Sequence, residues 1–467
     1  MTIPDSVLIV GASAAGLATA ESLRRKGYQG TLTLLGAERH LPYDRPPLSK
    51  QVLAGAWEPD RTRLRPSSAL AELGAEFILG DRAVGFDAST RAVETASGRT
   101  LRGEAVVIAT GVRPRTIPGT EALNGVHVLR TLEDALELRD RLKPSTRLVV
   151  VGEGVLGSEI AATARELGAQ VTMTGPMAAP MIGPLGPMVA DLLGELHTGR
   201  RVRLCLGTAV AGLVGEHGGQ VAGVRLDSGV VLPADLVVVA VGGIPNTDWL
   251  ASSGLELGNG VICDSRCRAA EGVYAVGDVA RWHDEDLGAH VRLENRTNAT
   301  EQAAAVAANI LGADAPYRPV PYFWSDQFNT KIQVYGRVLP GAEAEIVDGD
   351  PEADRFVARY RINGRAVGIV GWNMPKQARM RRQEIVDAMA EIPITTDHEE
   401  YPDMKITIDE EKCVAAGQCV AAAAAVFDQR DEDGIVVLLN ANPPAELADA
   451  VREAAMACPA AAITITE

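Results

Sequence analysis

Three thiols stand close to the C-terminal end of the 467-residue chain: Cys413, Cys419 and Cys458, the last followed by Pro459. The first two belong to the string CVAAGQCV, with Ala416 midway between them. Thiols so placed could close a disulfide, hold zinc or hold an iron–sulfur cluster. A disulfide would leave one of the three over. Zinc as a rule takes four ligands, and the stretch from Met404 onward offers three cysteines and no histidine. A cluster takes closely spaced thiolates plus a remote Cys-Pro, and the compact run for a four-iron cube is C-x2-C-x2-C. Here that run reads Cys413-x2-Ala416-x2-Cys419. Alanine has no donor atom, so one corner of the cube lacks a ligand, and a 3Fe-4S cluster on Cys413, Cys419 and Cys458 is expected. The strings KITID and AITIT read as two short strands; pairing them would bring the three thiols together.

Electrons must reach such a centre from somewhere, and the rest of the chain supplies two nucleotide loops. SVLIVGASAAGLATAESLRRKG is an apolar strand, a glycine turn and an amphipathic helix. Gly11 permits the turn, Gly16 lets helix and strand pack, and the free N–H groups around Ser13 and Ala14 favour a pyrophosphate. Ser13 replaces the middle glycine of the usual pattern. The next strand, TLTLLGAE, ends in Glu38, about 20 residues on, where an acid can accept ribose hydroxyls. The grammar returns in RLVVVGEGVLGSEIAATARELG, with Gly152, Gly154 and Gly157 in full G-x-G-x-x-G spacing. Two such units imply two dinucleotides. Between and after them come AVVIATGVRPR with Thr110 and Gly111, DLVVVAVGGIPNT with Gly242 and Gly243, and GVYAVGDVAR with Gly277 and Asp278.

Composition narrows the classes. The length suggests about three domains. There are 45 Lys and Arg against 61 Asp and Glu, a formal charge of −16, which argues against a phosphate-backbone partner. No apolar run approaches the ~18 residues of a membrane span, and no basic leader precedes the first strand. Six cysteines are too sparse for a disulfide framework, so a cytoplasmic protein is expected. From Met404 onward eleven Asp and Glu face four Lys and Arg, an acidic unit. EIPITTDHEEYPD (391–403) reads as a polar linker whose extended reach is at most ~40 Å. A tether of that kind keeps an attached domain at an effective concentration on the order of millimolar. KQARMRRQE, with Lys376, Arg379, Arg381 and Arg382, could offer the acidic unit a basic face.

The ordered set of motifs over residues 5 to about 390 resembles the FAD-dependent ferredoxin reductases that serve Rieske oxygenases and cytochromes P-450. PYDRPPLSK (42–50), HVLRTLEDA (127–135), TNATEQA (297–303) and PYFWSDQ (321–327) carry the likeness. The tail, including DEDGIVVLL, resembles the small single-cluster ferredoxins of P-450 systems. The resemblance implies an α/β fold: two nested Rossmann-like domains of the glutathione-reductase type, an α+β reductase C-terminal domain and a small α+β ferredoxin domain. FAD would take residues 1–113 and 246–320, and NAD(P)H 114–245. An interface domain (321–392), the linker (393–403) and the ferredoxin (404–467) would follow. FAD contacts would come from Gly11, Ser13, Ala14, Gly16, Glu38, Arg45, Ala83, Thr110, Gly111, Arg130, Gly277, Asp278 and Arg296. NAD(P)H would meet Gly152, Gly154, Gly157, Gly242 and Gly243. Lys50, Glu159 and Trp324 would stand at the reacting groups. In the PYDRPPLSK string the prolines are expected to hold an extended backbone, with Lys50 projecting from the loop.

Disulfide reductases share the nested order, but they carry a cysteine pair after the first unit, and residues 1–204 contain no cysteine. Cys205, Cys263 and Cys267 read as small buried hydrophobes. The implied function is a self-contained electron chain: hydride from NAD(P)H to FAD, then single electrons to the fused cluster and on to a cytochrome P-450. The alternatives are a reductase–ferredoxin component of a Rieske oxygenase system and a redox sensor with little turnover. Rapid bleaching of the flavin by NADH would exclude the sensor. Gly175 stands where the family mostly carries an acid for NADH; with no base following it, the reading leans to NADH. The sequence leaves the oligomeric state open, a monomer included.

Overall fold

The computed structural model describes residues 3–120, 123–216, 218–390, 404–410, 413, 418–430, 435–443, 447–458 and 462–466. It divides into two units, Met1–Ile392 and Pro393–Glu467. The anticipated linker at 393–403 lies outside the described residues, as do Ala416 and Pro459.

Apolar strands with no polar face must be covered on both sides, which is the condition of a parallel sheet. Ser6–Val10 (SVLIV) and Ala105–Ile108 (AVVI) meet it and pair parallel, Val7 opposite Ala105. They are the middle of a six-stranded sheet ordered 268–270, 273–275, 105–108, 6–10, 31–36, 75–79. The helix Ala14–Arg25 covers it together with Arg296–Ile310, a segment from almost 300 residues later. The second Gly-rich unit builds its own five-stranded parallel sheet, ordered 203–206, 170–175, 147–151, 236–239, 126–127. The chain thus leaves the first domain, completes the second, and returns. The crossing is a two-stranded ribbon in which Val112–Pro114 pairs antiparallel with Gly243–Pro245. This is the nested pair of Rossmann-like folds anticipated above.

A five-stranded antiparallel sheet follows, ordered 322–327, 330–336, 365–372, 355–362, 343–350. One face buries Phe356, Tyr360 and Trp372 against Leu185, Val189 and Leu193 of the helix Ile182–Gly199. The other takes Ala378 and Ile385 of the helix Pro375–Ala390. That helix corrects the basic-face expectation in part: Arg381 is tied to Asp348 at 2.9 Å and Glu384 at 2.8 Å.

The second unit is small. Lys405–Ile408 pairs antiparallel with Ile463–Thr466, as the KITID and AITIT strings suggested. Between them lie the helices Gln418–Ala423 and Ala448–Ala457 and the hairpin of Phe427–Gln429 with Val436–Leu438.

One cap deserves a test because it bears on the site. Thr131 opens the helix Leu132–Arg141 with a reciprocal capping box: its Oγ1 accepts from the Asp134 N–H, and Asp134 Oδ2 accepts from the N–H groups of both Thr131 and Arg130 at 2.8 Å. The cap therefore holds the Arg130 backbone as well as the helix. Thr131→Ala should cost about 1 kcal/mol, read as a lower denaturation midpoint.

Candidate functional site: two glycine loops over one continuous cleft

At the end of the first strand Gly11 has φ +124°, and its N–H donates to Leu35 O at 2.7 Å. A Cβ there would stand 2.1 Å from the carbonyl oxygen of Ala109. A Cβ on Gly16 would stand 1.8 Å from Gly11 O. The second unit repeats this atom for atom: Gly152 has φ +117°, with a Cβ position 2.3 Å from Ala240 O, and Gly157 has one 1.9 Å from Gly152 O. Gly16 and Gly157 thus serve helix–strand packing and line neither of the two cavities at the site. Gly154 faces open space and lines the cleft. Gly11→Ala adds a left-handed strain of about 1–3 kcal/mol to the carbonyl collision; the expected outcome is protein that purifies with substoichiometric FAD.

Two cavities meet at Ser13, Arg45 and Arg113. One, of 520 Å³, runs past Gly11, Glu38, Ala83 and Thr110. The other, of 540 Å³, is lined by Ala14, Lys50, Gly111, Arg130, Gly154, Glu159, Gly242, Gly243, Asp278, Arg296 and Trp324. Together they form an elongated cleft that begins beside a ribose-type carboxylate and ends between the two glycine loops. Of the anticipated residues, Gly152 and Gly277 shape the backbone behind it without lining it; the Gly277 N–H is held by Gln302 Oε1 at 2.7 Å.

The charges in the cleft are held by neighbours. Glu38 takes Arg45 Nη2 at 2.6 Å and the Tyr43 hydroxyl at 2.5 Å. Burial, together with that carboxylate, drives the Tyr43 phenol well above its usual range. Arg130 Nη2 lies 3.1 Å from Asp278 Oδ2. Burial raises the Asp278 carboxyl, and Arg130 opposes the rise. Arg296 is paired with Asp44 at 2.5 Å.

Lys50 corrects the expectation of a lysine projecting from an extended loop. Pro46–Ser49 is a single 3-10 turn, because the fixed φ of proline also suits a first helical turn. The turn carries Lys50 inward, where it is only 8% exposed, and Nζ meets Glu159 Oε2 at 2.9 Å. Glu159 also accepts from Ser49 Oγ at 2.5 Å and from Ser325 Oγ at 2.8 Å. Behind Ser325, Gln327 Nε2 donates to its hydroxyl at 3.0 Å, and Gln327 Oε1 stands 2.7 Å from His197 Nε2. Three domains therefore converge on one carboxylate. Sequence reasoning missed Ser49, Ser325, Gln327 and Asn246. Asn246 pins Thr110, its Nδ2 donating to Thr110 O at 2.9 Å. All four lay inside quoted strings, without any spacing rule to single them out.

No cysteine lines either cavity. Cys263 and Cys267 are buried, and burial pushes both thiols up, Cys267 to about 12. Cys205, in the strand Arg203–Leu206, is half-buried rather than buried.

In the small unit Cys413, Cys419 and Cys458 share one apolar core with Phe427, Val436 and Val451. The Val436 N–H donates to Cys413 Sγ at 3.4 Å, and the Ala462 N–H to Cys458 Sγ at 3.3 Å. Burial raises the Cys419 thiol, and the two neighbouring sulfurs add to the rise. Among the described residues no three His, Cys, Asp or Glu side chains converge at ligating distance. The donor chemistry nevertheless fits a cluster: one buried and two half-buried thiols on one core, the two half-buried ones already accepting backbone N–H groups, the arrangement that stabilises thiolate ligands. The cleft fits FAD on the same footing, through the close backbone approach at Gly11 and the carboxylate at Glu38. No helix among the described residues is long and apolar enough to cross a membrane.

Comparison with known proteins agrees with this layout, but the cluster family it names is of four-iron type, where the sequence leads to an expectation of three irons. Residues 5–303 match the pyridine nucleotide-disulphide oxidoreductase family, 322–406 the reductase C-terminal family, and 408–465 the 4Fe-4S single cluster domain of ferredoxin I. The chain is 34% identical to rhodocoxin reductase of Rhodococcus erythropolis, over 87% of this chain and 95% of that protein. It is 36% identical to the ferredoxin–NAD(+) reductase subunit of the benzene 1,2-dioxygenase system of Pseudomonas putida, over 80% and 90%. The crystal structure of the covalent putidaredoxin reductase–putidaredoxin complex superposes with a TM-score of 0.78 at 33% identity, covering 82% of this chain and 93% of that one. With two glycine loops, a reductase C-terminal sheet and a cysteine-bearing tail accounted for, the chain belongs to the pyridine nucleotide-disulphide oxidoreductase family, as an FAD-dependent NAD(P)H:ferredoxin reductase with a ferredoxin-type domain at its C-terminal end.

Proposed function

We propose that this chain is a reductase and its ferredoxin in one polypeptide, taking reducing power from NAD(P)H and delivering it as single electrons through a 3Fe-4S cluster to a cytochrome P-450. FAD supplies the conversion of a hydride into two single electrons, and the cluster supplies a one-electron carrier. Residues 1–113 and 246–320 hold FAD and 114–245 the nicotinamide dinucleotide, while 321–392 complete the cleft and 404–467 carry the cluster. Gly11, Ser13 and Ala14 receive the pyrophosphate, Glu38 the ribose, and Arg130 and Asp278 the region between the two halves. The Lys50 ammonium, desolvated and fixed by Glu159, lines this cleft and would offer positive charge to a flavin ring held there, which would favour its reduced, negatively charged form. Glu159 and Trp324 border the space left for the nicotinamide.

The observation that carries this reading is that the cleft between the glycine loops holds the Lys50–Glu159 pair and no cysteine. A thiol relay is therefore missing where the family name would place one, and three thiols stand together instead in the C-terminal unit. Three cysteines and no histidine from Met404 onward favour three irons over four. Anaerobic purification followed by iron, sulfide and FAD analysis tests this: about three irons per FAD is expected. A ratio of four would overturn the three-iron form and leave the electron chain standing.

A second acceptor is favoured by one relative. The benzene dioxygenase system reductase serves a dioxygenase by its name, and a Rieske oxygenase is the corresponding reading here. NADH-driven reduction of a P-450 and of a Rieske oxygenase, compared side by side, separates them.

A further inference from the structure

The two βαβ units carry the same backbone with different acids. In the first, Val10 is registered with Leu35, so the strand Thr31–Gly36 ends on Gly36 beside the glycine turn. In the second, Val151 is registered with Thr174, so Gln170–Gly175 ends on Gly175 at the equivalent place. The residue after the first glycine is Ala12 in one loop and Glu153 in the other. A Cβ on Gly36 would lie 2.9 Å from the Ala12 methyl; one on Gly175 would lie 1.6 Å from Glu153 Oε2. The Glu153 carboxylate fills the volume from which an acidic side chain at 175 would start.

That volume has a known use in such folds. An acid at the end of the second strand accepts the adenosine ribose hydroxyls, and a base there accommodates a 2′-phosphate. The position equivalent to Glu38 is Met177, whose side chain is apolar and 47% exposed. Its N–H donates to Glu153 Oε1 at 2.9 Å, which orients the carboxylate. Among the described residues no side-chain donor and no cation meets the Glu153 carboxylate, which is reached by the backbone N–H groups of Met177 and of Glu153 itself. The stretch 175–181 (GPMAAPM) contains no Lys, Arg or His. Burial raises the Glu153 carboxyl, and the N–H groups of Met177 and of Glu153 itself oppose the rise; ribose hydroxyls would oppose it further.

We propose that Glu153 is the carboxylate that receives the adenosine ribose 2′- and 3′-hydroxyls, relocated from the strand end to the glycine turn, and that it makes NADH the reductant. This rests on reading the second unit as the nicotinamide dinucleotide site. A 2′-phosphate would place a charge of about −2 beside an anion with no cation to separate them.

The test uses the full-length holoprotein and two probes, ADP-ribose and 2′-phospho-ADP-ribose, titrated by calorimetry. Wild type should bind ADP-ribose at least about tenfold more tightly, the discrimination expected from charge-assisted bonds against a like-charge clash. Glu153→Ala should collapse that ratio about tenfold with FAD content unchanged, and in turnover should raise KM for NADH more than it lowers kcat. Gly175→Asp alone should bind both probes poorly, because its Cβ collides with Glu153. The double variant Glu153→Gly with Gly175→Asp should regain the wild-type ratio by returning a carboxylate to the strand end. Equal weakening of both probes by Glu153→Ala, or no change in their ratio, overturns the proposal. If wild type binds neither probe, the dinucleotide reading of the second unit fails, and the proposal fails with it.

Discussion

Lys50→Met should lower stability by about 3–5 kcal/mol, the usual consequence of stranding one partner of a buried ion pair. Glu159 would keep the two serine donors, Ser49 and Ser325, but lose the one cation paired with it among the described residues. Hydroxyl dipoles do not replace an ammonium in a site this closed. The companion variant Lys50→Met with Glu159→Gln removes the charge as well, and should recover most of the loss. Activity should not recover with it. Reduction of ferricyanide by NADH should stay down on the order of 10²-fold in both variants, the scale of losing a preorganised charge from a site where charge develops. The two variants thereby separate stability from rate: the first follows from the burial of the pair, and the second tests the proposed role of the ammonium in the reaction. Full activity in the double variant would show that Lys50 acts on the fold alone.

Cys458→Ala should give a protein that keeps its flavin, keeps NADH:ferricyanide activity, and contains almost no iron. Ligand binding and local folding are coupled in small cluster domains, so removing one of three thiolates should also loosen the core around Phe427 and Val451. Transfer to one-electron protein acceptors should fall to background. Cys263→Ala is the control. That thiol is buried in the first domain's core, and its loss should cost a small packing penalty with iron content unchanged. Retention of full iron in Cys458→Ala would remove it from the ligand set.

The nested architecture was legible because glycine positions carry steric information. Gly11 and Gly152 tolerate no Cβ, so their spacing from Gly16 and Gly157 reports a close helix–strand crossing whatever surrounds it. The paired terminal strands of the small unit were legible from apolar runs bounded by charge. What escaped was the inside of the site. PYDRPPLSK reads as an extended loop, since nothing local distinguishes a proline that begins a turn from one that extends a chain. Only the helix Val155–Glu166, more than a hundred residues away, supplies the carboxylate that draws Lys50 inward. Ser325 and Gln327 became part of the site through a strand whose polar residues alternate toward Glu159 rather than solvent. The role of Gly175 was hidden for a similar reason: a missing acid is visible in sequence, but its replacement from the neighbouring turn requires the register of two strands.

The most direct test of the account is a rapid-mixing experiment under anaerobic conditions, following flavin and cluster absorbance after NADH is added at protein concentrations spanning a wide dilution series. Electrons passing between centres on the same chain should reduce the cluster with a first-order rate constant that does not change on dilution. A rate that falls in proportion to protein concentration would mean that the C-terminal unit takes electrons only from other molecules, and a protein with no iron–sulfur absorbance at all would contradict the account outright.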